Sequence, residues 1–329
     1  MSVVLTRSRA LNALRAYASY ALSWFSSVHF RSPFAIRHLP LFVSVEPANV
    51  CQLRCPECPV GQRTKDKGLK TEMPLMTREV FRRVLKEIQE TAWVMQFYFQ
   101  GEPLLNKDLP QMIREAHEAG LYTIVSTNGQ AMTEDLAEEL VRAGLNRIIV
   151  SMDGLTDASY NAYRVGGSLE KTKMALQLLR KAKERLKGHT MIELQCLRLK
   201  TNEHEWKAFE RSYRSLGADR LVFKTAQLYD YANGHPLMPS QAKYSRYIKG
   251  SDGLYHRRKL GKGCWRVWSG VVVTTNGEVL PCCYDKAREY AYGNIMNTGM
   301  RELFAGEKAN TFRQAAMQQT PLICQECWK

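Results

Sequence analysis

The hydrophobic pattern changes period many times along the chain. From residue 41, short apolar runs of strand character alternate with stretches whose apolar residues recur three and four positions apart. "LFVSVEP" predicts the first strand. "TREVFRRVLKEIQET" predicts the helix after it, with Thr77 as its N-cap. "WVMQFYFQ" predicts the second strand, and Asp108 is expected to cap "LPQMIREAHEAG". "LYTIVSTNG", "NRIIVSMDG", "TMIELQCLRL" and "ADRLVFKTA" predict strands three to six. Helices are expected between them over "TEDLAEELVRAG", roughly residues 168–187, and "NEHEWKAFERSYRSLG". Acids open the first of these and Gly144 stops it.

Six strand–helix units over residues 41–226 predict βαβ units on a parallel sheet. Six are too few for a closed eight-stranded barrel, so the expected fold class is α/β, an open, TIM-like partial (βα)6 barrel. Sites in such barrels gather at the C-terminal ends of the strands. The sequence places Cys51–Cys58, Gly101–Glu102, Ser126–Asn128 and Ser151–Asp153 there.

The pattern differs on either side of the barrel. In residues 1–40, Leu11, Leu14, Ala18, Ala21, Leu22, Phe25 and Val28 recur at helical spacing beside Trp24. Residues 1–45 hold no acid but hold Arg7, Arg9, Arg15, Arg31 and Arg37. This predicts a basic amphipathic helix, a kind that can lie on an anionic bilayer. Packing on its own domain is the competing reading, and Ser and Tyr diluting the polar face tilt the balance towards it. Residues 227–263, rich in Tyr, Gly and Pro and ending in "HRRKLGK", read as a linker. In residues 264–329, "VWSGVVVTTNGEVLPCC" predicts two strands about Asn276-Gly277, and "GMRELF" and "EKANTFRQAAM" predict short helices. A β-hairpin/helix domain this small does not easily build a core without a staple.

Composition adds a constraint. Lys+Arg outnumber Asp+Glu 47 to 32, a net +15 that suits an anionic partner: phosphate, a membrane surface or nucleic acid. Nine cysteines in 329 residues are too few for a disulfide scaffold. They are grouped, three within 51–58 and five within 264–327, with Cys196 alone between. Nothing reads as a secretory signal, and clustered C-x2-C pairs in such a chain argue for metal. No apolar run reaches the roughly 18–20 residues of a membrane span. The expected location is cytoplasmic, with peripheral contact with an anionic membrane through residues 1–30 as the accompanying partner expectation.

"NVCQLRCPECPVGQ" carries Cys51, Cys55 and Cys58 as C-x3-C-x2-C. Three thiols fall one short of a closed structural zinc site, while a [4Fe–4S] cluster held by three keeps one iron open. Together with Gly101-Glu102-Pro103 after the second strand, this run resembles the radical S-adenosylmethionine (SAM) superfamily over roughly residues 41–226. The resemblance implies that the three thiolates hold a [4Fe–4S] cluster whose fourth iron takes the amino nitrogen and carboxylate of SAM. Reductive cleavage then gives a 5′-deoxyadenosyl radical that abstracts hydrogen from substrate.

The resemblance also implies site residues. "FQGEP" is similar to the family's G-G-E-P, with Gln100 in place of the first glycine, so Gly101 and Glu102 should meet the SAM ammonium. Ser126, Thr127 and Asn128 of "STNG" should reach the SAM ribose or substrate. Ser151 of "SMDG" is a candidate for the SAM carboxylate. Arg164 is a candidate for the same carboxylate, weighed equally against an ordinary helix-surface arginine. Glu57 stands where the family often has an aromatic residue packed near adenine, which leaves that packing without its usual side chain.

Cys264, Gly277 after twelve intervening residues, and Cys282 after four more resemble the opening of a SPASM domain. The count suits the shortened twitch version, and the spacing is similar to that of 2-deoxy-scyllo-inosamine dehydrogenases. It implies Cys264, Cys282, Cys324 and Cys327 as ligands of one auxiliary [4Fe–4S] cluster, although four cysteines also suit zinc. Cys283 and Cys196 are candidates for a hydrogen donor, against the commoner reading of a plain buried cysteine.

The cofactors expected are therefore SAM and two [4Fe–4S] clusters. The first functional reading is hydrogen abstraction from a hydroxylated small-molecule or lipid-linked substrate, dehydrogenase-like, with the auxiliary cluster accepting an electron. A radical epimerase using a cysteine donor and a peptide-modifying maturase are the alternatives. The maturase stands lower because the 40 residues ahead of the barrel are too few for a peptide-binding winged-helix domain. A non-catalytic iron–sulfur or zinc binding module is the reading from another class. A reductant such as flavodoxin or ferredoxin is expected, and nucleic acid is not.

Overall fold

The structure is a computed structural model that describes residues 4–29, 38–63, 73–258, 263–325 and 327. Arg31, Arg37, the Val28 side chain and the 259–262 end of "HRRKLGK" lie outside the described residues.

Helix α1 (Arg7–His29) precedes strand β1 (Phe42–Val45). The cysteine loop then leads through the short α2 (Pro59–Arg63) to α3 (Arg78–Ile88) and β2 (Val94–Phe97). There follow α4 (Leu109–Glu118), β3 (Tyr122–Thr127), α5 (Glu134–Arg142) and β4 (Arg147–Ser151). Next come α6 (Asp157–Asn161), α7 (Leu169–Arg185), β5 (Met191–Arg198), α8 (Trp206–Ser212) and β6 (Arg220–Thr225). Strands β1 to β6 pair in parallel and in chain order, the open six-unit barrel that the alternating pattern predicts. Apolar residues on both faces of β3 and β4 are covered, one face by helices and one by the barrel interior.

Side chains start the helices. Thr77, Thr133 and Ser168 each accept a bond from a backbone N–H in the first turn of α3, α5 and α7. Asp108 corrects an expectation. It occupies the N-cap position of α4 without a side-chain capping bond, and Asn106 Oδ1 instead accepts from the Asp108 N–H at 2.9 Å.

Residues 227–263 include a two-stranded antiparallel ribbon, β7 (Tyr247–Lys249) and β8 (Tyr255–Arg257), too short to show as a period in the sequence. Beyond it lie α9 (Trp265–Ser269), β9 (Gly270–Val273), β10 (Glu278–Leu280) and β11 (Gly293–Asn294). The chain then forms α10 (Met300–Ala305), α11 (Glu307–Met317) and α12 (Leu322–Gln325). The β9–β10 hairpin turns at Gly277, whose φ of +88° favours glycine. Its sheet partner is the barrel: β9 runs parallel to β1, with Phe42 opposite Gly270 and Val45 opposite Val273. Val267, Trp268, Val271, Met300, Phe304 and Phe312 therefore belong to the same apolar cluster as Val43, Phe81 and Phe97. The C-terminal region shares the barrel's core rather than relying on a staple alone.

Helix α1 lies across the end of α3 and α4 and is fastened by Arg9. Its guanidinium donates to Gln89 O at 2.8 Å, Ala119 O at 2.7 Å and Gly120 O at 2.9 Å. These carbonyls end two helices, where a cation is favoured. Among the described residues, no helix is long and apolar enough to cross a membrane.

Candidate active site

The strand-end residues singled out for the first site, Asp153 apart, open on one cavity of about 380 Å³. Cys51, Cys55 and Cys58 enter from the loop after β1, Gly101 and Glu102 from after β2, and Ser126, Thr127 and Asn128 from the end of β3. Ser151 ends β4, and Arg164 follows α6. Gly101 has a φ of +71°, and an added Cβ would lie 2.3 Å from Ala48 O, so the turn admits only glycine. This close approach lets the Glu102 N–H donate to Val50 O at 2.8 Å, which locks the G-E-P turn to the cysteine loop.

Glu102 is buried and held from three sides. Oε1 accepts from Leu104 N at 3.0 Å and Thr127 Oγ1 at 2.7 Å, and Oε2 accepts from Asn128 N at 2.7 Å. Burial pushes its carboxyl up against the pull of these bonds. Thr127 and Asn128 thus act on neighbours: Thr127 bonds Glu102, and Asn128 Nδ2 donates to Cys51 Sγ at 3.5 Å. Ser126 and Ser151 line the cavity.

Arg164 is not an ordinary helix-surface arginine. Its side chain is 15 % exposed and its Nε donates to the buried Asp153 Oδ2 at 2.6 Å. Asp153 Oδ1 is in turn fixed by Leu197 N at 2.6 Å. Burial alone would lower the guanidinium's pKa, but Asp153 and Cys55 beside it raise it, so it stays charged. Asp153 was legible only as part of "SMDG", with no sign that it orients a cation.

The three thiols suit a shared soft cation. Burial pushes Cys51 up to about 12 and also raises Cys55, with the neighbouring thiols adding to both shifts. Three thiolates side by side, one buried and two partly so, require positive charge, and Arg164 supplies only one unit next to Cys55. Among the described residues, no three His, Cys, Asp or Glu side chains are arranged to hold a single metal ion. The fit to a cluster rests on donor chemistry and on the shared cavity.

Glu57 and Gln100, the two departures from the family pattern, find partners beyond the barrel. Glu57 Oε2 accepts from Tyr229 N at 2.6 Å, and Oε1 lies 3.3 Å from His235 Nε2. Gln100 Nε2 donates to Lys286 O at 3.1 Å. Lys286 lines the cavity and its Nζ donates to Tyr229 OH at 3.3 Å. Residues after β6 and after β10 are thereby drawn over the cavity mouth. Replacing Glu57 by Ala should speed amide exchange at Tyr229 by roughly tenfold, one lost charge-assisted bond. Hydrogen exchange with mass readout checks this, with iron content unchanged.

A second set of thiols gathers in the C-terminal region. Cys282 is raised by burial first and then by Cys283, Cys264 and Cys327 close by. Cys324 sits on α12, with Cys327 N donating to Cys324 O at 3.3 Å. Arg257 donates to the carbonyls of both. All nine cysteines are free thiols. Cys196 is not brought to the cavity. Gln195 faces it, and strand alternation turns Cys196 into the core, fully buried and accepting from Asn202 Nδ2 at 3.6 Å. Cys283 lies outside the cavity lining, next to Cys282 and near Tyr98. Lys286 and Gln195 are cavity residues that the sequence reading missed, because no motif surrounds them.

Comparison with known proteins agrees with this geometry. A family model described as the radical SAM superfamily matches residues 45–194, and one described as an iron-sulfur cluster-binding domain matches residues 264–328. The PqqA peptide cyclase of Bradyrhizobium diazoefficiens is 30% identical over 266 residues, 74% of this chain and 67% of that protein. That of Xanthomonas oryzae pv. oryzae is 27% identical, over 88% of this chain and 80% of its own. Among solved structures, anSMEcpe with bound AdoMet superposes with a TM-score of 0.63 at 21% identity, covering 84% of this chain and 81% of that one, a likeness of fold. The chain belongs to the radical SAM superfamily, in the group that carries a C-terminal iron–sulfur cluster-binding domain.

Proposed function

We propose that this radical SAM enzyme modifies a peptide by hydrogen abstraction and net oxidation. The observation that carries the reading is the similarity to PqqA peptide cyclases across two thirds or more of their length. It favours the maturase alternative over the hydroxylated small molecule expected first. SAM and [4Fe–4S] clusters are the cofactors of the family. When bound, they supply the hydrogen-abstracting radical and an electron acceptor.

The chain's own residues take these parts in the proposal. Cys51, Cys55 and Cys58 hold the cluster with the open iron. The Gly101 carbonyl and the Glu102 carboxylate receive the SAM ammonium, and Ser151 and Arg164 receive its carboxylate. Ser126 faces the ribose, while Thr127 and Asn128 position Glu102 and Cys51. Cys264, Cys282, Cys324 and Cys327 close the auxiliary site. Lys286, Gln195 and Tyr229 meet the substrate at the mouth, where Lys286 suits a peptide carboxylate. Residues 41–226 form the catalytic barrel and 264–329 the auxiliary region.

The test is an anaerobic assay with SAM and dithionite. One arm holds short peptides translated from reading frames flanking the gene, and the other holds cyclitols and lipid-linked sugars. A peptide that loses two hydrogens, with 5′-deoxyadenosine formed in step, is the expected result. Turnover of a cyclitol or sugar alone overturns the peptide reading and restores the dehydrogenase.

A further inference from the structure

The structure turns the apolar stripe of α1 outward. Arg9, Asn12, Ala16 and Ser19, spaced along one side, are the buried positions. Asn12 exchanges two 2.9 Å bonds with the backbone of Leu39. Tyr20 packs edge-on against Trp265 and Trp268, with ring centroids 5.4 and 5.5 Å apart. The helix is thus seated by polar and aromatic anchors. The opposite side carries Leu11, Leu14 and Leu22, which are 45%, 67% and 47% exposed. Arg7 and Arg15 are exposed alongside them. A soluble helix normally shows the reverse arrangement, apolar side in and polar side out.

We propose that the outward face of α1 seats the protein on an anionic lipid bilayer, with the helix axis lying in the plane of the headgroups. Leu11 to Leu22 span roughly 16 Å of helix, long enough to bury an apolar stripe at the acyl boundary. The exposed arginines meet anionic headgroups, and no acid occurs in residues 1–45 to repel them. The same charges disfavour a second copy of this chain as the occupant: two such faces would bring arginine against arginine with no acid on either helix to neutralise them. The helix is already folded and anchored, so docking requires no ordering of the chain.

Flotation of the reconstituted full chain tests this, using vesicles of phosphatidylcholine alone or mixed with phosphatidylglycerol. The protein should rise with the mixed vesicles and far less with phosphatidylcholine. The triple variant L11E/L14E/L22E should bind at least tenfold more weakly, on the order expected for leucines no longer leaving water. Its melting temperature and SAM cleavage should match wild type, since the three side chains are exposed and remote from the cavity. R7Q/R15Q should weaken binding to mixed vesicles by roughly tenfold. Equal flotation of the triple variant and wild type overturns the proposal, as does failure of the wild type to float. A lipid-free dimer that the triple variant dissolves, with no flotation, assigns the face to a second copy and also overturns it.

Discussion

Cys55→Ala should abolish reductive cleavage of SAM to 5′-deoxyadenosine. Cys55 is the most buried of the three loop thiols, 6% exposed, and lies beside the Arg164 guanidinium. Alanine leaves two thiols where the open cluster needs three, and no other thiol lines the cavity to replace it. Iron in the anaerobically reconstituted protein should fall from about eight to about four per chain, because the C-terminal thiols are untouched. Cys196→Ala serves as the control. That thiol is equally buried but faces the core, so iron and cleavage should both stay at wild-type levels. Cleavage persisting in Cys55→Ala would remove the catalytic role of the loop. About four irons plus one zinc in the wild type would instead assign the C-terminal thiols to a structural metal.

What the sequence could reveal depended on the range of the interactions involved. The six barrel strands were legible because each is a local run of apolar residues and each parallel neighbour is the next unit along. The C-x3-C-x2-C loop and the G-E-P turn were legible because their chemistry is packed into a few consecutive residues. The pairing of β9 with β1 was not legible. It joins residues 42–45 to residues 270–273, and nothing in either segment names the other. For the same reason the C-terminal region looked too small for its own core, when its apolar residues continue the barrel's.

The orientation of α1 was hidden for a related reason. Its period was visible, but a period does not say which side faces the protein. Arg9 decides that, by ending two helices whose carbonyls lie 80 or more residues away. Glu57 and Gln100 likewise looked like defects of the motif. Each is a tether to a segment more than 170 residues distant, visible only once the chain is folded. Cavity residues such as Lys286 arrive in the same manner, which is why the substrate class proposed rests on relatives rather than on motifs.

Glu102→Gln should weaken SAM binding on the order of 100-fold, the scale of a charge-assisted bond to an ammonium lost inside a cavity. The substitution keeps the shape of the side chain but removes its charge. One amide face can still accept from Leu104 N and Thr127 Oγ1. The other then presents an N–H towards the Asn128 N–H, where Glu102 Oε2 now accepts at 2.7 Å. Donor against donor should cost about 2 kcal/mol of stability. A stability loss alone could loosen the cavity, so Thr127→Val separates the two effects. It removes the 2.7 Å bond to Glu102 Oε1 while keeping the carboxylate. Thr127→Val should lower the melting temperature by a similar amount yet bind SAM within several-fold of wild type. Equilibrium dialysis beside thermal melts distinguishes the outcomes. If both variants lose affinity in proportion to stability, Glu102 only joins β2 to β3. If Glu102→Gln alone loses it, the buried carboxylate is the counter-charge for the ammonium, and Thr127 and Asn128 aim it.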